Sequence, residues 1–115
     1  MKDSLVTYDR FLGGAVTVVQ PARGYRAGMD AVLLAASLSA KTGESLAEAG
    51  SGAGAALLCA VHRLGGCHFT GFERDSAAIT LAGQGIATNA FAAHADIPGT
   101  YVTRLLGKPY GRELL

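Results

Sequence analysis

Tryptophan is absent from this sequence, and the large apolar anchors are limited to four Phe and four Tyr. A core must therefore be built from small side chains. The 21 Ala that stand beside 16 Gly bury little area each, so modest stability is expected. Neither sign of charge dominates, because 10 Lys and Arg against 9 Asp and Glu leave a net charge of +1. That balance argues against a nucleic-acid binder driven by bulk electrostatics, although local basic spots are compatible with it. Only two cysteines occur, Cys59 and Cys67, with no C-x-x-C and no Cys/His ligand spacing. They read as free, packed thiols, and no metal site is expected. No apolar run approaches the roughly 20 residues of a membrane-spanning helix. Met1-Lys2-Asp3-Ser4 lacks the apolar stretch of a signal peptide. A length of 115 residues allows one domain at most, and a cytoplasmic setting without a membrane partner is expected.

Against that background one stretch carries chemistry. Leu46-Ala47-Glu48-Ala49-Gly50-Ser51-Gly52-Ala53-Gly54-Ala55 reads as a short strand (Ser45 to Ala49) that ends in an acidic residue and a glycine-rich turn. An Ala- and Leu-rich helix follows, from about Ala53 to Leu64. Glycine suits such a turn because it takes positive φ freely and presents no Cβ to a ligand. The first helical turn offers unpaired N–H groups and a partial positive charge. A second strand, Cys67 to Phe72, delivers Glu73 at its carboxyl end, where a carboxylate can accept both hydroxyls of a ribose. The pattern is a nucleoside-cofactor site at the carboxyl edge of a parallel sheet. Its candidates are Glu48, Gly50, Ser51, Gly52, Gly54 and Glu73.

Two cofactor classes fit. Gly50-x-Gly52-x-x-Ala55, with Glu73 eighteen residues on, matches the dinucleotide fingerprint. Glu48 adds an acid two positions before the first glycine. The order acid-x-Gly-x-Gly-x-Gly resembles the first motif of S-adenosylmethionine-dependent methyltransferases. A carboxylate at the strand tip repels a pyrophosphate but tolerates a cationic cofactor. A ligand-free Ala/Gly loop with a solvated Glu73 is the third possibility.

Before this core, Phe11-Leu12, Gly13-Gly14 and Ala15 to Gln20 signal a hairpin with the Gly-Gly pair as a two-residue turn. Met1 to Arg10 is expected to be irregular or a first edge strand, and Pro21 ends the second arm. Asp30 opens a helix whose apolar face is Ala31, Leu34, Ala35 and Leu38, and it serves either as a cap or as a ligand-facing group. After Glu73, Asp75 can cap a helix from Ser76 to about Asn89, with Ala78, Leu81, Ala82 and Ile86 inward. Gly83 and Gly85 cost that helix about 1 kcal/mol each relative to Ala. His62, beside Arg63, suits the negative end of its helix. With His68 and His94 it is read as structural or superficial.

The run Gln-Pro-x-x-Gly-Tyr-Arg-x-Gly-x-Asp-Ala-Val-Leu-Leu-Ala-Ala, from Gln20 to Ala36, is similar to the N-terminal region of bacterial methyltransferases related to the tRNA adenine-N6 enzymes. The resemblance extends roughly from Phe11 to Asn89. It implies a partial Rossmann-like α/β fold, a doubly wound and mostly parallel sheet preceded by an N-terminal β-hairpin. It implies S-adenosyl-L-methionine as cofactor, with Tyr25, Arg26 and Asp30 near its methionine end, and tRNA or another nucleic acid as methyl acceptor. Asp96 would then be the acid that ends the next strand and reads the adenine amino group.

The likeness stops near Ala90. The Asn/Asp-Pro-Pro-Tyr/Phe loop that flanks the target nitrogen in that family is missing, and Lys108-Pro109-Tyr110 only echoes it. The expected layout is one truncated cofactor-binding domain over 1–115. It comprises a hairpin and helix (1–40), a nucleotide-binding core (41–90) and a tail (91–115) whose end, Leu105 to Leu115, is loose and basic-tipped. Missing strands would leave a free sheet edge beside Leu46, inviting self-association. The competing functions are a methyltransferase, a non-catalytic cofactor-binding remnant or interaction module, and a small dinucleotide-binding protein.

Overall fold

The computed structural model describes residues 5–98. The tail from Leu105 to Leu115, with Lys108-Pro109-Tyr110, lies outside the described residues. The chain begins with an antiparallel hairpin, β1 (Val6–Phe11) and β2 (Val16–Pro21), in register from Val6 opposite Pro21 to Phe11 opposite Val16. The turn is longer than the expected Gly-Gly pair. Leu12 to Ala15 all lie in the connection, and Leu12, Gly13 and Gly14 carry φ of 55°, 66° and 96°. A Cβ on Gly14 would fall 3.3 Å from the Arg10 guanidinium, so the last of the three positive-φ positions suits glycine.

Valines explain why this hairpin joins the core. Val16, Val18 and Val19 of β2 are fully buried. The Asn89 side chain fastens β2 to the last long helix: Oδ1 accepts from Thr17 N–H at 2.9 Å, and Nδ2 donates to Thr17 O at 2.6 Å and Gly85 O at 2.7 Å.

The remainder alternates helix and strand. Helix α1 (Met29–Ser37) leads to β3 (Ser45–Ala49), α2 (Ala55–Arg63), β4 (His68–Phe72), α3 (Ser76–Thr88) and a two-residue β5 (Ala95–Asp96). The three strands are parallel in the order β3-β4-β5. Alternating β and α with parallel pairing is one arm of a doubly wound sheet, so the expected fold class holds. Helix α2 starts two residues later than Ala53 because Gly54, its N-cap, has φ 88° and cannot be helical. Every residue from Ala55 to Val61 is buried. A helix apolar on all sides belongs at the centre of a fold, and its alanines let α1, β2 and the sheet close around it.

Two glycines permit close approach. A Cβ on Gly85 of α3 would fall 2.8 Å from Leu58 Cδ1 of α2, and one on Gly71 of β4 would fall 2.5 Å from Ile97 Cδ1 and 2.6 Å from Ser51 Oγ. Arg63, expected to serve its own helix end, instead donates to Leu38 O at 2.7 Å and Ala35 O at 3.3 Å, closing the C-terminus of α1. Leu34 departs from the expected apolar face: Ala31 and Ala35 are buried, whereas Leu34 is 48% exposed. Cys59 and Cys67 are buried free thiols. Among the described residues no strand pairs with the outer edge of β3. A groove of about 460 Å³ runs along that strand, lined by Leu34, Leu38, Leu46, Ala47 and Leu57. No helix among the described residues is long and apolar enough to cross a membrane.

Candidate cofactor site

Strands β3 and β4 end side by side, with Ala49 opposite Phe72, so Glu48 and Glu73 come to neighbouring strand tips. The glycine turn runs between them. Gly50, Gly52 and Gly54 have φ of 70°, 59° and 88°, the left-handed region that residues with a Cβ avoid. Gly50 and Ser51 N–H both donate to Phe72 O, at 2.7 and 3.2 Å, locking the turn to the end of β4. Above it lies a cavity of about 540 Å³, within the range of small-molecule sites.

Glu73 has a part in building the turn. Its Oε1 accepts from Gly52 N–H at 2.8 Å and its Oε2 from Asp75 N–H at 3.0 Å. Burial alone would raise its pKa, but the N–H groups of Asp75, Gly52 and Arg74 and the Arg74 charge outweigh it and hold the carboxyl below its usual range. Each oxygen keeps a lone pair, so the group fixes the loop and still presents acceptors. Asp75 caps α3 as expected, accepting from Ala78 N–H at 3.1 Å.

Glu48 is the opposite case. Its Oε1 is buried with no hydrogen-bond partner, as is Ser51 Oγ. Burial first, and the Glu73 charge second, push the Glu48 carboxyl up to about 7. Two orphaned buried polar atoms are unusual in a native fold, and the residues that carry them, Glu48 and Ser51, both line this cavity.

The far wall comes from the segment before α1. Tyr25 donates its hydroxyl to Asp30 Oδ2 at 3.1 Å, and Asp30 Oδ1 accepts from Gly28 N–H at 3.1 Å. Asp30 thus sits inside the first turn rather than at the cap, which is Gly28. Hydrogen bonds from Gly28 and Tyr25 hold its carboxyl low, and the hydrogen bond to Asp30, then its charge, raise the Tyr25 phenol. Tyr25, Asp30, Glu48, Gly50, Ser51, Gly52 and Glu73 all border the cavity. Gly54 is not on the wall; it starts α2 beneath it.

Two candidates point elsewhere. Arg26 turns to the hairpin, where it bonds Asp9 at 2.9 Å, Thr7 Oγ1 at 2.8 Å and Pro21 O at 2.9 Å. Asp96 faces the open side of the sheet, accepting from Thr70 Oγ1 at 3.0 Å and lying 3.3 Å from His68 Nε2. Asp96 is the second residue of the two-residue β5 and pairs level with Thr70, short of the strand end that carries Glu73.

Gln20 escaped the sequence reading. It is 3% exposed, borders the cavity, donates to Asp9 Oδ2 at 2.7 Å and accepts from Ala27 N–H at 2.7 Å. It thereby pins both ends of the Pro21–Ala27 segment. The signal was present: Val16, Val18 and Gln20 share one side of a period-2 strand, and a polar residue on an apolar side needs partners. Leu34, Ala78 and Leu81 add an apolar margin.

The charge of the lining is one-sided. Asp30, Glu48, Glu73 and Asp75 are its four ionisable acids, and no Lys, Arg or His borders the cavity among the described residues. Such a wall favours a ligand with positive charge and opposes a pyrophosphate.

A parallel sheet, a glycine bend at its carboxyl edge and carboxylates on adjacent strand tips form the kind of crevice in which doubly wound α/β proteins hold their ligands. Among solved structures, the chain is similar to the Pyrococcus horikoshii "putative transferase PH0793", with a TM-score of 0.73 and 15% identity over 89% of this chain and 38% of that one. It is also similar to Pyrococcus horikoshii TYW2 in complex with MeSAdo, with a TM-score of 0.72 and 15% identity over 87% of this chain and 38% of that one. The chain therefore shares its fold with part of these two proteins, and it spans about two-fifths of their length. No family model matches the sequence, and no curated protein matches it either.

Proposed function

We propose that this chain carries the cofactor-binding part of an S-adenosylmethionine-dependent methyltransferase. The observation that supports this most is the wall of four carboxylates, with no Lys, Arg or His beside them among the described residues. S-adenosylmethionine bears a sulfonium and an ammonium, and both suit that wall. NAD carries a pyrophosphate and does not. Glu48 Oε1 and Ser51 Oγ are buried atoms in want of a polar partner, which fits a ligand rich in donors. TYW2, one of the structural neighbours, was solved with MeSAdo, an analogue of the same cofactor.

In this reading Glu73 takes the ribose hydroxyls, the Gly50–Gly54 turn lies against the nucleoside, and Glu48, Ser51, Tyr25 and Asp30 surround the cationic end. The bound cofactor supplies an electrophilic methyl group on a positive sulfur. What these residues contribute is position and exclusion of water: Gln20 and Arg26 hold the far wall, and Glu73 holds the turn. The resemblance of Gln20 to Ala36 to the tRNA adenine-N6 enzymes supports an adenine amino group of tRNA as acceptor. A second reading is a chain that binds the cofactor without transferring its methyl group.

A thermal-shift comparison followed by transfer assays separates these readings. S-adenosylmethionine is expected to raise the melting temperature and NADH to leave it unchanged. Labelled methyl transfer to bulk tRNA supports the enzyme. Binding without transfer selects the second reading, and preference for NADH refutes both.

A further inference from the structure

The cavity has an unresolved problem of charge, and Glu48 is where it concentrates. Three of the four acids have donors. Asp30, from α1, takes the Gly28 N–H and the Tyr25 hydroxyl; Glu73 takes the Gly52 and Asp75 N–H groups; Asp75 takes the Ala78 N–H. Glu48 Oε1 has none and is buried.

Among the described residues no neighbouring element brings a Lys, Arg or His to the cavity. Around the cavity, α2 brings Ala55 and Ala56, and β2 brings the neutral Gln20. Arg26 is committed to Asp9 at 2.9 Å. Arg74 follows Glu73 and does not border the cavity. An isolated buried carboxylate facing a second carboxylate is unstable as an ion and holds its proton instead.

Building on the methyl-donor reading, we propose that Glu48 makes the pocket selective for a cationic ligand, and that it releases its proton to solvent as the cation arrives. The exchange is balanced: a neutral carboxylic acid and a cation enter, and an ion pair and one hydrated proton leave. No bond of the ligand changes.

Burial and the charge of Glu73 set the working range, since they bring the Glu48 carboxyl up to about 7. Glu73 and Asp30 are held below the usual carboxylate range and stay ionised there. Below pH 7 the ligand's own amino group, with a pKa near 7.7–8.0, also keeps its charge. The ionised fraction of Glu48 grows from about 3% at pH 5.5 to about half at pH 7.0, so affinity grows roughly fifteenfold over that interval.

The test is titration calorimetry of the chain with S-adenosylmethionine between pH 5.5 and 7.0, in two buffers of different ionisation enthalpy. Wild type is expected to release close to one proton at pH 5.5 and about half a proton at pH 7.0, with that rise in affinity. Glu48→Gln, checked for native circular dichroism, is expected to bind weakly, with no proton release and no dependence on pH. Binding by wild type without proton release overturns the proposal and leaves the methyl-donor reading standing. A pH dependence that survives in Glu48→Gln likewise overturns it, because the proton then comes from another group. Absence of binding at every pH overturns the methyl-donor reading, and this proposal with it. If the variant does not fold, the wild-type proton count decides alone.

Discussion

Replacing Glu48 with Gln should stabilise the ligand-free chain, by an amount that depends on pH. The carboxyl is raised from its ordinary 4.5 to about 7 in the folded protein. Below pH 4.5 folded and unfolded chains both hold the proton, and Glu48 costs nothing. Between 4.5 and 7 the unfolded chain ionises while the folded chain does not, so stability falls as pH rises. Above 7 the penalty is complete, because the folded state must now bury a charge without a partner. A shift of this size corresponds to about 3 kcal/mol at pH 8 and under about 1 kcal/mol at pH 5. Glutamine has the shape of the protonated acid and never ionises, so it escapes the penalty. Urea unfolding of both proteins at pH 5 and pH 8, followed by circular dichroism, measures the difference. The variant should gain about 3 kcal/mol at pH 8 and little at pH 5. An equal gain at both values, or a loss at pH 8, would refute the picture of an unsatisfied acid. A site residue that opposes stability in the empty protein is the usual sign of a group kept for binding.

The glycines of α3 make a matched pair. Nothing lies within 4 Å of a Cβ at Gly83, whereas one at Gly85 meets Leu58 Cδ1 at 2.8 Å. Gly83→Ala should therefore raise the urea midpoint by about 0.5–1 kcal/mol equivalent, and Gly85→Ala should lower it through overpacking of about 1–3 kcal/mol set against that gain. Asn89→Ala leaves the Thr17 N–H and carbonyl without their partner. It should cost about 2–3 kcal/mol and remove hydrogen-exchange protection from the Thr17 amide before the sheet loses its own. Arg26→Ala touches no cavity atom but frees the segment that ends at α1. It should weaken S-adenosylmethionine binding only roughly twofold to tenfold by calorimetry, and a total loss would mean that Arg26 meets the ligand.

The fold was largely legible because glycine and proline punctuate it. Pro21 and the 50–54 turn each fall at a boundary, and Asp75 caps α3 as its position implies. The candidate site was partly legible for the same reason: an acid, a glycine turn and a second acid at fixed spacing can be read locally. What escaped depends on contacts between residues distant in sequence. Arg26 is spaced like a ligand residue, and only the hairpin folding back shows that Asp9 claims it. Gly85 looks like a defect in a helix until Leu58 is set against it. Asn89 resembles an ordinary helix end, yet its side chain is bonded 72 residues away. The hairpin turn takes three positive-φ residues rather than two, and the first of them is Leu12, which the Gly-Gly signal does not encode.

The central claim is that the two strand-tip carboxylates and the glycine bend enclose a sulfonium nucleoside, and calorimetry of wild type against Glu73→Ala with S-adenosylmethionine tests it most directly. Glu73 anchors Gly52 N–H at 2.8 Å and in this account meets the ribose. Its loss should weaken binding by at least about 1–3 kcal/mol, roughly fivefold or more, in a chain that still folds. Equal affinity in the two proteins would contradict the account.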